Sequence, residues 1–286
     1  MATIGGMLLG HDLSTVLQCE KSGVKYYDFD SSECKPPEQI VAAHGANLVR
    51  LRLWVNPPAG FSDYASVLEM AKRAKKANLK VLLCLHLSDY WADPGKQFTP
   101  GAWANQDCKT LCKTVEEYVR YIIEALQRQG TPPFIVAVGN EVSNGILWPT
   151  DGAKLSDLKS SLETAATRYN KPMVVVEVAE SWAPSPNCPE TQESLMTELL
   201  KVVSSVPRGL GAGVCYWESA WVPPGEAYPG EGCHYGYRAL WNEQGRPLPA
   251  LRCYEFYAKG PLQPTMHTRR HHFWGLGRSH EGKDEL

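Results

Sequence analysis

The chain has 286 residues, 43% of them apolar and 21% charged, with a formal net charge of −2. That length suits one large α/β domain or two small ones. The charge gives no support for a nucleic-acid or polyanion partner, and no apolar run approaches the ~18 residues of a membrane span.

The opening MATIGGMLLGHDLS carries no basic leader and only a short apolar piece, so it reads as a first strand and not as a signal peptide. The second apolar run, ANLVRLRLW, sets Arg50 and Arg52 two apart, on one face of a strand. Isolated buried charge is costly, so both arginines want carboxylates. DYASVLEMAKRAKKANLK spaces its apolar residues as a helix does and stops near Asn78; its KRAKK run reads as a solvated helix face. LKVLLCLH is a third strand. TVEEYVRYIIEALQRQGTPP is a second helix, with a Thr114-x-x-Glu117 capping box at its start and Gly130 and Pro132 at its end.

PFIVAVGNE, PMVVVEVAE and GAGVCYWES supply three more strand-like runs. Strands alternating with helices indicate a parallel sheet with covered faces. No GxGxxG or Walker-type loop is present, which favours a barrel over a nucleotide-binding fold. The last stretch, TMHTRRHHFWGLGRSHEGKDEL, is basic, His-rich and without periodicity. The expected division is therefore a barrel domain over 1–264 and a disordered tail over 265–286. Its His271–His272 pair is a weak metal signal, and its final KDEL is an ER-retention tetrapeptide with no visible entry signal to match. Nine cysteines leave at least one unpaired within the chain. Cys108 and Cys112 lack the neighbours of a zinc site, and no metal or cofactor is expected.

A β/α barrel presents its active site at the C-terminal ends of its strands. There the sequence places Arg50, Arg52 and Trp54; His86, Asp89 and Trp91; Asn140 and Glu141; Glu177, Glu180 and Trp182; and Trp217, Glu218 and Trp221. Glu141 and Glu177 each end an apolar run. One reading makes them structural partners of the arginines. The other draws on the seven tryptophans at or just after strand ends (54, 91, 103, 148, 182, 217 and 221). Aromatic faces rimmed by carboxylates, Asn and His suit a sugar chain. Two carboxylates then match glycoside hydrolysis: one protonates the leaving oxygen while the other attacks the sugar or activates water.

LGHDLS, GVKYYD, GANLVRLRLWVNP, AKRAKKANLKVLLCLHLSDYWADPGKQ, VGNEVSNGILWP, NKPMVVVE and GVCYWESAW together closely resemble glycoside hydrolase family 53, the arabinogalactan endo-β-1,4-galactanases. The resemblance runs from about Gly6 to Trp221. It implies a (β/α)8 TIM barrel of the α/β class and a retaining mechanism. It implies Glu141 as acid/base and Glu177 as nucleophile, with Asn140 binding the sugar 2-hydroxyl. Arg50 and His86 would orient and charge-balance the nucleophile, Trp217 would lie under the reacting sugar, and Asp89, Trp91 and Trp182 would line the cleft. It also implies a Cys188–Cys233 disulfide, a polysaccharide partner bound by a monomer, and secretion. The chemistry asks Glu141 to hold a proton and Glu177 to be ionised, which a nearby Arg favours.

The spacing departs from the family. Thirty-six residues separate Glu141 from Glu177, about one strand-helix unit of a barrel of ~250 residues, where the family has three. Strands five and six are expected to be absent, leaving six readable units, with the join near Thr150 to Lys154. Either the last strands keep their places and leave a slot, or the fourth run pairs directly with the fifth and brings both glutamates to one side ~4.8 Å apart. The expectation is a weak or inactive galactanase. The alternatives are a non-catalytic galactan-binding remnant and a barrel glycosidase acting on another β-linked polysaccharide.

Overall fold

A computed structural model describes residues 6–58, 60–142, 146–148, 173–179, 189–205, 211–222 and 238–258. Six parallel strands are described: β1 (Leu8–Asp12), β2 (Leu48–Leu53), β3 (Lys80–Leu85), β4 (Ile135–Val138), β5 (Met173–Val178) and β6 (Gly211–Tyr216). They form one sheet in the order β4-β3-β2-β1-β6-β5. This is the curled parallel sheet of a TIM-type barrel with six strands. Among the described residues β4 and β5 each pair on one side only, at opposite ends of the sheet. The described strands therefore follow the slotted arrangement, and β4 does not pair with β5.

Period-two alternation sorts the strand residues onto two faces. Leu9, Val49, Leu51, Leu53, Val81, Leu83, Leu85, Val214 and Tyr216 face outward into the main core under the helices. Leu8, Leu48, Leu82 and Cys84 form a smaller cluster on the inner face. On β4 the outward Val136 and Val138 are 37% and 46% exposed, and on β5 Val176 is 39% exposed. Side chains that a complete wall covers thus stand open at both edges of the described sheet.

The helices are α1 (Val16–Lys21), α2 (Pro37–Ala43), α3 (Tyr64–Lys76), α4 (Cys108–Arg128), α5 (Pro189–Ser205) and α6 (Cys253–Ala258). α3 starts on Asp63, whose side chain accepts from Ser66 N at 2.8 Å. It stops where expected, with Asn78 at φ +59°. α4 corrects the sequence reading at its start. It begins at Cys108, capped by Asp107 accepting from Thr110 N at 2.7 Å. Thr114 lies inside the helix and donates to Gln106 Oε1 instead. The missed signal was an Asp three residues before a Thr, an equally good cap. The KRAKK run is also not uniformly solvated. Arg73 is half-buried and forks onto Glu20 and Glu38 at 2.7–2.9 Å, which fastens α3 to α1 and α2.

β1 and β6 meet closely because Gly213 has no side chain. A Cβ there would lie 2.4 Å from Leu8 O and 2.5 Å from Leu8 Cβ. Backbone cannot yield as a flexible side chain can, so Gly213→Ala is expected to cost about 1–3 kcal/mol, the usual price of overpacking. A urea-denaturation midpoint unchanged from wild type would contradict this.

The seven described cysteines carry no disulfide. Cys188, Cys233, Trp182, the KDEL tail and the boundary at 264–265 lie outside the described residues.

Candidate active site

The strands end in polar residues aimed into a cleft of about 570 Å³ at the C-terminal edge of the sheet. Asn140 and Glu141 follow β4, Glu177 ends β5, Trp217, Glu218 and Trp221 follow β6, and Arg52, Trp54 and Trp91 line the side made by β2 and β3. Glu141 and Glu177, distant in the sheet order, thus face one space.

How Glu177 reaches that space depends on the register of β5. Val175 pairs with Val214 and Val178 with Tyr216, so three steps on β5 oppose two on β6. The extra residue is a bulge, which re-aims side chains. Under strict alternation Glu177 would share the outward face of Val175. With the bulge its carboxylate meets Arg50 instead.

Arg50 is 1% exposed, and its Nη2 donates to Cys84 Sγ at 3.3 Å. Its Nη1 donates to Asp12 Oδ2; its Nη2 donates to Glu177 Oε1 and, at 2.9 Å, to Asn140 Oδ1. Burial opposes the guanidinium charge, but Asp12, Cys84 and Glu177 outweigh it and hold its pKa above the ordinary value. Glu177 moves in a less expected direction. Burial pushes its carboxyl up; Arg50 pulls it down; Asp12 and Glu141 push it up again, and the net shift is upward. Burial, reinforced by the charges of Asp12 and Glu141, outweighs the pull of Arg50, which is also paired with the fully buried Asp12.

Arg52 has its own carboxylate. Nη1 donates to Glu218 Oε1 at 2.7 Å, and Thr15 Oγ1 donates to Glu218 Oε2 at 2.7 Å. Burial pushes Glu218 up against the pull of Arg52. The Arg52 guanidinium lies over Trp91 at 4.0 Å and Trp54 at 4.8 Å. Both arginines therefore found carboxylates, but in Asp12, Glu177 and Glu218. Glu141 pairs with neither and is exposed.

His86 follows β3 and is buried. Its Nδ1 accepts from Ala92 N at 3.2 Å, and its ring packs against Trp54 and Trp91. Burial first, then Arg52 and Arg50, pull its pKa well below the ordinary value. A neutral imidazole cannot balance the charge of Glu177, so among the described residues that task falls to Arg50. Asp89 does not line the cleft; its Oδ2 accepts from Gly101 N at 2.8 Å and fixes the loop. Of the seven tryptophans, 54, 91, 217 and 221 line the cleft. Trp103 is buried against Tyr118, and Trp148 bridges to Phe98. Position after a strand did not by itself decide which tryptophans face the sugar side, since loops also fold back onto helices.

Several groups escaped the sequence reading. Asp12 was legible as an acid ending an apolar run. Gln97 had no local signal, yet it is 2% exposed and donates to Asn140 O at 2.7 Å. Glu141 and Glu218 both take positive φ, +47° and +48°. Such non-glycine conformations cost about 1–3 kcal/mol each and gather at functional sites. Among the described residues no group of three His, Cys, Asp or Glu side chains is placed to hold a metal.

The family model for glycosyl hydrolase family 53 matches residues 8–155 and 152–254. A probable arabinogalactan endo-β-1,4-galactanase A of Neosartorya fischeri is 37% identical over 180 residues, covering 60% of this chain and 50% of that protein. In that match the chain spans half the length of its relative. An arabinogalactan endo-β-1,4-galactanase of Thermothelomyces thermophilus is 29% identical over 335 residues, covering 86% of this chain and 98% of that one. Among solved structures, a fungal β-1,4-galactanase superposes with a TM-score of 0.73 at 27% identity, covering 88% of this chain and 99% of the other. The catalytic domain of a family 53 enzyme from Ignisphaera aggregans superposes at 0.78 with 22% identity, over 90% and 97%, a likeness of fold.

Proposed function

This chain belongs to glycosyl hydrolase family 53, and we propose that it is an endo-acting, retaining hydrolase of β-1,4-galactosidic bonds in arabinogalactan. The observation that carries the reading is the convergence of Glu141 and Glu177 on one aromatic-sided cleft, with Arg50 bonded to Glu177. A galactan segment lies across Trp91 and Trp217, whose rings stand 6.4 Å apart. Glu141 gives its proton to the glycosidic oxygen while Glu177 attacks the anomeric carbon. The C–O bond to the leaving chain breaks as the bond to Glu177 forms. Glu141 then takes a proton from water, which attacks the same carbon and frees Glu177, so two inversions give net retention. Asn140 keeps the second hydrogen of Nδ2 for the sugar 2-hydroxyl, since the first goes to Ala92 O at 2.8 Å. Arg50 holds Glu177. Trp182 and the Cys188–Cys233 disulfide remain proposals for cleft wall and loop brace. The chain works as a monomer, since it supplies both carboxylates itself, and is secreted to reach its polymer. No cofactor enters the chemistry.

Turnover is reduced relative to a full barrel. On this reading the 36 residues from Glu141 to Glu177 are too few for the two further strand-helix units of a full barrel. The family match in two segments meeting at 152–155 supports this, as does an alignment to the Thermothelomyces enzyme that is longer than the chain itself. A second reading, galactan binding without turnover, draws on one observation: Glu141 just after β4 and Glu177 on β5 lie at the edges of the described sheet. Incubation of the purified chain with β-1,4-galactan separates the two. New reducing ends, with the β-anomer appearing first by NMR, are expected. Retarded migration in a galactan gel without reducing ends would select the binding reading, and neither response would remove both.

A further inference from the structure

We propose that Gln97 is a positioning residue that holds the Asn140–Glu141 peptide in the conformation that aims Glu141 into the cleft. The inference rests on the assignment of Glu141 as the proton donor. Gln97 follows a tight turn in which Asp93 N donates to Lys96 O at 2.9 Å and Lys96 N to Asp93 O at 3.0 Å. This turn gives the side chain a rigid base. From it Nε2 donates to Asp93 O at 3.1 Å and to Asn140 O at 2.7 Å, so both of its hydrogens are engaged.

The second bond matters because a peptide unit is planar. Fixing the carbonyl oxygen of Asn140 fixes the direction of the Glu141 N–H on the far side of the same plane. The Asn140 side chain is held as well, by Arg50 at 2.9 Å and by Ala92 O at 2.8 Å. With the peptide plane locked from both sides, Glu141 takes φ +47°, a left-handed conformation that a glutamate in a free loop abandons. Gln97 O also accepts from Trp148 N, and Thr99 N donates to Trp148 O at 2.6 Å. The segment from Gln97 to Thr99 therefore grips the chain after β4 on both sides of Glu141. A buried amide that spends its donors on two backbone carbonyls across 4 and 43 residues of sequence organises the loop as a unit.

The test uses the full chain with Gln97→Met, similar in length without the donor, and Gln97→Glu, similar in shape with an acceptor facing the carbonyl. Crystal structures are expected to show Glu141 leaving positive φ in both variants. The kinetic arm uses two aryl β-1,4-galactobiosides. One carries 2,4-dinitrophenolate, which leaves without protonation; the other carries a poor leaving group that needs the acid. Misplacement of the acid is expected to lower kcat/KM on the poor leaving group by on the order of 10²-fold and to spare kcat/KM on the dinitrophenyl substrate, whose kcat falls only through the second step, where Glu141 acts as base. Equal losses of kcat/KM on both substrates, or a Glu141 φ unchanged in both variants, would overturn the proposal. If the wild-type chain hydrolyses neither glycoside, the hydrolase reading fails while the φ comparison still decides on the clamp.

Discussion

Glu177→Gln is expected to lower galactan hydrolysis by about 10⁴-fold or more while leaving galactan binding in place. The amide keeps the shape of the carboxylate and can still accept from Arg50, so the fold around it persists. What it loses is a lone pair able to bond to carbon and leave again. The loss should appear in kcat and not in KM, measured as reducing ends released against polymer concentration. Azide supplies a sharper check. In Glu177→Gly, azide entering the vacated space attacks from the same face and should yield the α-galactosyl azide from an activated aryl galactoside. Formation of the β-azide, or residual wild-type turnover in Glu177→Gln, would show that the nucleophile lies elsewhere.

Arg50→Met carries the second large effect, on stability and pH dependence together. Asp12 is fully buried, and removing its cation leaves a carboxylate without its ion-pair partner, a loss of about 3–5 kcal/mol. The pH response follows from the carboxyl of Glu177. Its pKa is already raised, by burial first, with Arg50 the leading influence in the other direction. A raised carboxyl contributes stability that is present below its unfolded pKa and fades as pH rises through its folded pKa. Without Arg50 the folded pKa rises further. The stability deficit of the variant should therefore be smaller in acid than at neutral pH, and the acid limb of kcat/KM should move to higher pH. Asp12→Asn supplies the opposite sign. It keeps Arg50 and removes one of the groups that push Glu177 up, so its acid limb should move to lower pH. Urea denaturation across pH and pH–rate profiles of the three chains give the answer. Acid limbs that coincide would disprove the coupling of Arg50 and Asp12 to Glu177.

The open edges give the proposed loss of two units its physical meaning. Val136, Val138 and Val176 are apolar positions that a closed barrel covers, and here they are substantially exposed. Exposed strand edges also invite pairing with other chains. The site pays in a different way. Among the described strands, its two carboxylates lie on or just after the two with one neighbour each, whereas Arg50 and Asp12, on β2 and β1, sit where each strand has two. The Arg50–Asp12 pair is thus in the interior of the described sheet, and the two carboxylates proposed to react are at its margins.

Much of this was legible locally. Alternation in LVRLRL fixes that Arg50 and Arg52 share one face with Leu48 while Val49, Leu51 and Leu53 take the other. That follows from the two-residue period of a strand and needs no partner. The burial cost of a guanidinium then dictates that acids wait inside. The apolar runs of β1 to β6, the helix of α3 and its stop at Asn78 are likewise properties of neighbouring residues. Which acids answer which arginines is a different matter. Arg50 meets Glu177 across 127 residues and Arg52 meets Glu218 across 166, and only the folded sheet brings them together. The inward aim of Glu177 came from a bulge set by how β5 registers on β6, against the alternation its own residues imply. The neutrality of His86, the choice of four tryptophans for the cleft and the grip of Gln97 on Asn140 are decided in the same way. Periodicity and burial are written in adjacent residues; register, shared charge and the facing of loops arise from contacts between segments that the chain order keeps apart.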